Sequence, residues 1–226
     1  MTKARRWLIL ALLVASALPF AACGSKPTMT PTPSPTPGTP KPSPTPTGTA
    51  RTLQWPSPPA MTVDAARAYV ATIKTNYGDI VVQLLPKDAP VAVNSFVFLA
   101  RQGFFDGVKF HRVVKDFMVQ SGDPTGSGSG GPGYRFADEK VVRDYLAGTL
   151  AMANAGANTN GSQFFIGLAD LRTRLAKDYT IFGTVTSGFD VVQKIGNVPV
   201  ASKYPGGEVS SPTVDVHINT VTIEEK

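Results

Sequence analysis

The chain has 226 residues, of which 22 are Lys or Arg and 16 are Asp or Glu, and its formal net charge is +6. No acidic residue precedes Asp64, whereas six basic residues do, so the chain from Asp64 onward carries equal numbers of acidic and basic side chains. A nucleic-acid-binding protein carries its basic excess on the folded domain, so the charge distribution excludes nucleic acid as an expected partner. The only cysteine, Cys23, rules out an intrachain disulfide.

Residues 1–22 are predicted to be a lipoprotein signal peptide. Basic residues within the first six positions precede an apolar run at 7–18, and two alanines lead to Cys23. This order is typical of a secretory signal, and the run is shorter than the ~20 apolar residues that span a membrane.

The residues before Cys23 resemble the lipobox of bacterial lipoproteins, although Phe20 stands where leucine is more usual. The resemblance implies that Cys23 is lipidated and becomes the new N-terminus. The protein would then be extracytoplasmic and lipid-anchored to a bacterial membrane. An ordinary signal peptide followed by an incidental cysteine is the alternative.

Residues 23–63 are predicted to form a disordered stalk rich in proline and threonine. The stretch 27–59 holds twelve of the 20 prolines. Such a segment has too few apolar side chains to offset the entropy of folding, and its prolines favour an extended polyproline II conformation. We expect a spacer that holds a domain away from the membrane. A proline-rich ligand for a partner module and a glycosylated stalk are alternatives.

Residues 64–226 are expected to form one domain of ordinary size in which short strands predominate. Alternating apolar residues predict strands at 69–75 and 80–85, and an apolar stripe after Pro90 predicts a helix at 89–101. Further strands are predicted at 109–114, 117–121, 149–153, 163–168, 179–186 and 214–223, and a second helix at 189–195. This pattern indicates a mostly β fold, a closed or nearly closed antiparallel barrel.

One arginine lies in an unusually apolar stretch of sequence. Arg112 is surrounded by aromatic and aliphatic residues, namely Phe110, Val113, Val114, Phe117 and Met118. A guanidinium cannot shed its charge, and holding it near apolar walls is unfavourable without a partner. Arg112 therefore either pairs with a carboxylate inside the protein or faces a pocket and binds a ligand. This run alone favours neither alternative.

A second run, 150–166, has small and amide residues at its centre. Low side-chain bulk leaves the backbone accessible, which suits a shallow groove for an extended peptide. A polar loop between two strands is an equally good interpretation, because Asn and Gly are common in turns.

The domain contains few other groups for catalysis. His111 and His217 are far apart, and the sequence has no metal-binding His/Cys cluster, phosphate-binding loop or nucleophile elbow. We therefore expect no metal and no cofactor. Rotation about the peptide bond before proline needs none of these groups, because its barrier of ~18–20 kcal/mol comes from amide resonance. An apolar slot for the proline ring and a hydrogen-bond donor to the twisted amide are what this reaction requires.

Together these two runs resemble the cyclophilin-type peptidyl-prolyl cis-trans isomerases, and the resemblance covers essentially all of residues 64–226. It rests on the motifs at 110–113, 117–120, 122–123, 130–131, 152–165 and 179–183. The resemblance implies a closed eight-stranded antiparallel barrel capped by two helices. It also implies a monomeric, cofactor-independent folding catalyst that isomerises X-Pro bonds, with proline-containing polypeptides of the exported or cell-surface class as partners.

The resemblance assigns roles to individual residues. Arg112 is similar to the catalytic arginine that hydrogen-bonds the prolyl amide, and His111 to a structural histidine beside it. The implied walls of the proline pocket are Phe117, Met118, Phe165 and Leu175, with Tyr179 where the family often has a histidine. The implied peptide groove consists of Gln120, Ala153, Asn154 and Gln163. The tryptophan that many eukaryotic members carry near Leu175 is absent, which leaves tight cyclosporin binding in question.

Two other functions stay open at this point. A cyclophilin-like module could bind proline-containing segments without isomerising them, because binding and isomerisation use the same residues. An adhesin or wall-binding lipoprotein would depend on the stalk instead of the pocket.

Overall fold

The computed structural model describes residues 53–226. The predicted signal peptide, Cys23 and the predicted stalk up to residue 52 lie outside the described residues. Within residues 53–226, no helix has both the length and the apolar character that a membrane span requires.

The described chain is mostly β, with two helices, as predicted. In chain order the elements are β1 (Tyr69–Thr75), β2 (Gly78–Leu84), α1 (Pro90–Arg101), β3 (Arg112–Val114), β4 (Met118–Ser121), β5 (Thr149–Met152), β6 (Phe164–Gly167), β7 (Ile181–Ser187), α2 (Phe189–Gly196), β8 (Val200–Ser202), β9 (Val209–Pro212) and β10 (Ile218–Glu225). The hairpin of β8 and β9 has no counterpart in the prediction, because its strands are short, rich in serine and without an extended apolar alternation.

Eight strands form one antiparallel sheet in the order β10-β1-β2-β7-β5-β6-β4-β3, and β8 pairs with β9 separately. The prediction of a closed barrel is wrong, because β10 and β3 end the sheet and do not pair with each other as strands. Near these two ends, the described chain has an isolated bridge between Lys109 and His217. Strand β3 begins only at Arg112, beyond this bridge, so no continuous ladder closes the sheet.

The core between the sheet and the helices is rich in phenylalanine. The ring of Phe96 on α1 lies 5.0 Å from that of Phe105, 5.7 Å from that of Phe164 and 5.4 Å from that of Phe182. Aromatic side chains bury large apolar areas and prefer such tilted or edge-to-face contacts. Helix α1 also packs against β10 and β7, so this cluster holds the helix on the sheet.

Residues 53–63, which we call the N-terminal strap, pack against the domain although they are predicted to be the end of the disordered stalk. Trp55 makes an edge-to-face contact with Phe98 of α1, with ring centres 5.2 Å apart. The buried side chain of Asn94 accepts hydrogen bonds from the backbone N–H groups of Thr62 (2.8 Å) and Val63 (3.2 Å). Residues 53–63 therefore pack on the domain, although they precede the predicted boundary at residue 64.

Candidate active site

The strand register brings four of the predicted site residues onto one face of the sheet. Arg112 on β3 lies opposite Gln120 on β4, and Gln120 lies opposite Phe165 on β6. Side chains alternate between the two faces of a strand, so Met118 shares the face of Gln120. The intervening Val119 points to the opposite face and belongs to the main core. Pairing across three strands therefore places the arginine, an amide and two apolar side chains side by side.

An apolar cluster separate from the main core lies on this face. The rings of Phe165 and Tyr179 meet edge to face, with centres 5.7 Å apart. Buried and half-buried side chains of the cluster include the four predicted pocket walls and the bordering tyrosine, which are Phe117, Met118, Phe165, Leu175 and Tyr179. The structure thus gathers residues from a 63-position span of sequence into one apolar surface beside Arg112.

Arg112 begins a series of side-chain hydrogen bonds that follows the predicted groove. Its Nη1 donates to Oε1 of Gln120 (3.3 Å), and Nε2 of Gln120 donates to Oε1 of Gln163 (2.9 Å). Nε2 of Gln163 then donates to the carbonyl oxygen of Gly130 (2.9 Å). Each amide presents its oxygen toward the arginine and its nitrogen toward the glycine-rich loop, residues 126–131. The cation therefore sets the orientation of the amides of Gln120 and Gln163.

The four predicted groove residues, Gln120, Ala153, Asn154 and Gln163, line one concavity of about 920 Å³. Part of its wall comes from Pro56 and Pro58 of the N-terminal strap, which the sequence analysis did not include in the site. The sequence does contain one sign that this stretch packs on the domain, namely Trp55, a large aromatic residue among prolines and serines.

Arg112 also pairs with Glu208, a residue that the sequence analysis missed. Its Nε donates to Oε2 of Glu208 (2.6 Å) and its Nη2 donates to Oε1 (2.7 Å). Arg112 therefore has a carboxylate partner, and it also lines a small cavity together with Gln120. The pair lies at the surface, with 36% of the arginine side chain and 50% of the glutamate side chain exposed. Exposed pairs stabilise a fold by only about 0–1 kcal/mol, so the main consequence of this pair is orientation of the guanidinium.

Hydrogen bonding by Arg112 lowers the pKa of Glu208 from its ordinary 4.5 to about 2. The carboxylate is therefore ionised throughout the neutral range. No sequence pattern indicates this residue, because Glu208 follows two glycines in the unpredicted hairpin and is far from Arg112 in the chain.

Comparisons with known proteins agree with this geometry. The family model of the cyclophilin type peptidyl-prolyl cis-trans isomerases (described as "Cyclophilin type peptidyl-prolyl cis-trans isomerase/CLD") matches residues 70–223. The chain belongs to this family. The predicted family membership is thereby confirmed.

Relatives of this cyclophilin occur in distant organisms. It is 48% identical over 132 residues to a peptidyl-prolyl cis-trans isomerase of Arabidopsis thaliana, covering 56% of this chain and 80% of the relative. It is 46% identical over 136 residues to that of Helicobacter pylori, covering 58% of this chain and 83% of the relative. It is 44% identical over 159 residues, 68% of this chain, to the human peptidylprolyl isomerase domain and WD repeat-containing protein 1, of which the match covers only 24%.

The fold agrees with a solved structure. A crystal structure of a cyclophilin type peptidyl-prolyl cis-trans isomerase from Cryptosporidium parvum aligns with a TM-score of 0.64 and 33% sequence identity, covering 70% of this chain and 99% of that one.

One departure of this cyclophilin from many eukaryotic members can be described structurally. This chain has no tryptophan near Leu175. Instead, the guanidinium of the neighbouring Arg174 lies 4.5 Å from the ring centre of Phe117. Such a cation–π contact contributes about 0.5–1 kcal/mol at an exposed site. Arg174 also donates through Nη1 to the carbonyl oxygen of Asp116 (2.7 Å), so it braces the turn that presents Phe117.

The glycine-rich loop beside the groove is organised by one buried carboxylate, Asp123. Its oxygens accept hydrogen bonds from the backbone N–H groups of Thr125 (2.7 Å), Gly128 (2.6 Å) and Gly130 (3.0 Å). Gly130 must lack a side chain, because a Cβ there would lie 2.1 Å from Oδ1 of Asp123. Since Gly130 also receives the hydrogen bond of Gln163, Asp123 holds the far end of the amide series in place.

Burial opposes ionisation of Asp123, but the hydrogen bonds from Thr125, Gly130 and Gly128 outweigh this effect and hold its pKa well below the ordinary value. His111 behaves differently, because burial lowers its pKa and favours the neutral ring. This agrees with a structural role for His111. Among residues 53–226, no group of three or more His, Cys, Asp and Glu side chains is arranged to hold a metal ion.

Substitution of Asp123 by asparagine is expected to lower the free energy of unfolding. It should also make the free energy of unfolding less dependent on pH in the acidic range. Because the pKa of Asp123 is lower in the folded state, its stabilisation is complete above its ordinary value of 3.8 and is lost as the pH falls below it. Asp123→Asn should therefore lose about 1–3 kcal/mol near neutral pH. The deficit should shrink towards about pH 3. Urea denaturation followed by circular dichroism measures both quantities.

The matched control is Asp79→Asn, which changes an exposed carboxylate on β2. This variant should keep the pH dependence of the wild type. Equal stability of Asp123→Asn and wild type at neutral pH would contradict the assigned role of Asp123.

Proposed function

We propose that this protein accelerates cis–trans isomerisation of X-Pro bonds in exported or cell-surface proteins and thereby acts as a folding catalyst. The proposal rests above all on Arg112, whose Nη1 is directed to Gln120 at the groove, next to the apolar surface that contains Met118 and Phe165. A permanent donor beside an apolar slot is the combination that this reaction needs.

The chemistry requires no bond to be broken. Uncatalysed X-Pro isomerisation takes tens to hundreds of seconds because amide resonance resists rotation. In the twisted amide the proline nitrogen has a lone pair that can accept a hydrogen bond, and Arg112 donates to it there more strongly than to the planar amide. A hydrogen bond to a charged group contributes about 1.5–3 kcal/mol, which corresponds to about 10- to 150-fold in rate if the bond forms mainly in the transition state.

The remaining acceleration comes from how the substrate is held. The proline ring packs against Phe117, Met118, Phe165, Leu175 and Tyr179, where little water competes for the amide. The adjoining peptide backbone lies along Gln120, Ala153, Asn154 and Gln163. A second crystal structure of the Cryptosporidium parvum protein, whose alignment has 35% sequence identity, was determined in the presence of the dipeptide Ala-Pro. We propose proline-containing polypeptides as the substrate class here.

Replacement of Arg112 by alanine tests the catalytic role. Arg112→Ala should lower kcat/KM by about 10- to 150-fold, because it removes the one charged donor proposed to act in the transition state. A protease-coupled assay on a short proline-containing peptide, with the full chain purified in detergent, measures the rate. Circular dichroism verifies that the fold is retained.

The control for this experiment is Arg67→Ala, which removes an arginine that pairs with Glu225 at the junction of β1 and β10. Its rate should equal that of the wild type. If folded Arg112→Ala retains the wild-type rate, the catalytic role of Arg112 is wrong. If the wild type binds the peptide without accelerating its isomerisation, the protein is a binding module and not an enzyme.

We also propose that the protein acts as a monomer outside the cytoplasm, on a bacterial membrane to which lipidated Cys23 anchors it through the stalk. The support is the order of basic, apolar and small residues before Cys23 and the proline-rich stretch after it. Stable anchoring needs two or more acyl chains, since a single chain binds only marginally.

Replacement of Cys23 by serine tests the anchor. Cys23→Ser cannot carry the lipid, so we expect the protein in the soluble fraction or retained as an unprocessed precursor. Membrane fractionation of bacterial cells and the mass of the N-terminal peptide distinguish these results from the lipidated form. Undiminished membrane retention of a processed Cys23→Ser variant would rule out lipidation as the anchor.

A further inference from the structure

The hairpin of β8 and β9 stands apart from the main sheet and lies against β3, the strand that carries Arg112. Two contacts join the hairpin to the site. Glu208 binds the guanidinium of Arg112, and Nζ of Lys203 donates to the carbonyl oxygen of Gly126 in the glycine-rich loop (3.2 Å). The hairpin and the site also share a small cavity of about 230 Å³, lined by Arg112, Gln120 and Glu208 among others.

The partners of Arg112 divide its guanidinium into two parts. Glu208 accepts from Nε and Nη2, which lie along one edge of the planar group, while Gln120 accepts from Nη1. Bidentate pairing with a carboxylate fixes the plane of a guanidinium as well as its position. The Nη groups carry additional N–H donors that neither partner uses. Arg112 is therefore held from two directions and still has donors for a bound amide.

We propose that Glu208 is a positioning residue for Arg112, an inference that rests on the proposed catalytic role of that arginine. An unrestrained arginine has many rotamers, and each binding event would have to order it at a cost in free energy. Glu208 orders the side chain before substrate binds. It does not contact the reacting amide and acts only through the orientation of the guanidinium.

Two observations indicate that Glu208 orients Arg112 and does not mainly stabilise the fold. They are the exposure of its side chain and the contacts that hold the hairpin. Half of the Glu208 side chain is exposed, and its main hydrogen-bond partner is Arg112, with Ser210 of β9 as a second, weaker one. The hairpin has anchors that do not involve Glu208, namely the hydrogen bond of Lys203 to Gly126 and the packing of β9 against β3. Removal of the carboxylate therefore leaves the hairpin attached while releasing one edge of the guanidinium.

A double-mutant cycle on the full chain tests this inference. Glu208→Gln keeps the size of the side chain but offers one oxygen acceptor and no charge, so the bidentate pair is lost. We expect kcat/KM for a proline-containing peptide to fall by about 2- to 10-fold, the equivalent of immobilising one flexible side chain. The decrease should appear in kcat with KM little changed, because the hydrogen bond of Arg112 acts mainly in the transition state.

The cycle separates positioning from other roles. In the Arg112→Ala background, Glu208→Gln should have no further effect, because no guanidinium is left to orient. An equal decrease in both backgrounds would show that Glu208 acts on the structure of the hairpin and would overturn the inference. A higher rate for Glu208→Gln would also overturn the inference, because Glu208 would then hold Arg112 in a less active orientation.

The same experiment distinguishes failure of this inference from failure of the proposed function. If Arg112→Ala lowers the rate while Glu208→Gln does not, only the role of Glu208 is wrong. If neither substitution lowers the rate, the catalytic role of Arg112 is wrong as well. Glu224→Gln is the matched control, because Glu224 is an exposed glutamate on β10 that pairs with Lys226, and its rate should equal that of the wild type.

Discussion

The antiparallel register of β3, β4 and β6 is the constraint on which the site depends. Arg112 lies opposite Gln120, and Gln120 lies opposite Phe165. The three side chains are therefore neighbours on one face, although they come from separate parts of the sequence. The same strands send Val119 and Ile166 into the main core on the other face. A shift of register by one residue would exchange the two faces. Burial of the core therefore also fixes the position of the site.

Polar contacts extend this order from the sheet to the loops around it. The series from Arg112 through Gln120 and Gln163 ends on Gly130, in a loop whose backbone N–H groups converge on Asp123. On the opposite side, Glu208 holds the other edge of the guanidinium. The arginine lies in the sheet, contacts the hairpin through Glu208, and is connected to the glycine-rich loop through Gln120 and Gln163. This agrees with a reaction in which precise placement of a donor, and no covalent chemistry, lowers the barrier.

The parts of the molecule that the sequence predicted depend on local patterns. Strand alternation, the stripe of α1 and the apolar setting of Arg112 are visible within short windows, and the resemblance to cyclophilins linked the windows into a site. The pairing of Arg112 with Glu208 was not predictable, because it joins residues 96 positions apart across an irregular hairpin. Closure of the barrel was predicted wrongly, since the number of strands does not reveal whether its two end strands pair. The N-terminal strap was missed because its prolines resemble those of the stalk, whereas its attachment depends on Asn94 and Phe98 of a distant helix.

Replacement of Arg112 by lysine tests whether isomerisation needs an oriented guanidinium or only a positive charge. A lysine at position 112 keeps the charge but loses the planar donor fork that Glu208 and Gln120 orient. Exchange spectroscopy by NMR measures the rate at which a proline-containing peptide interconverts between cis and trans in the presence of the protein. We expect rapid exchange with the wild type and a rate at least about tenfold lower with folded Arg112→Lys. Equal exchange rates for the two proteins would contradict this expectation, because positive charge alone would then be sufficient.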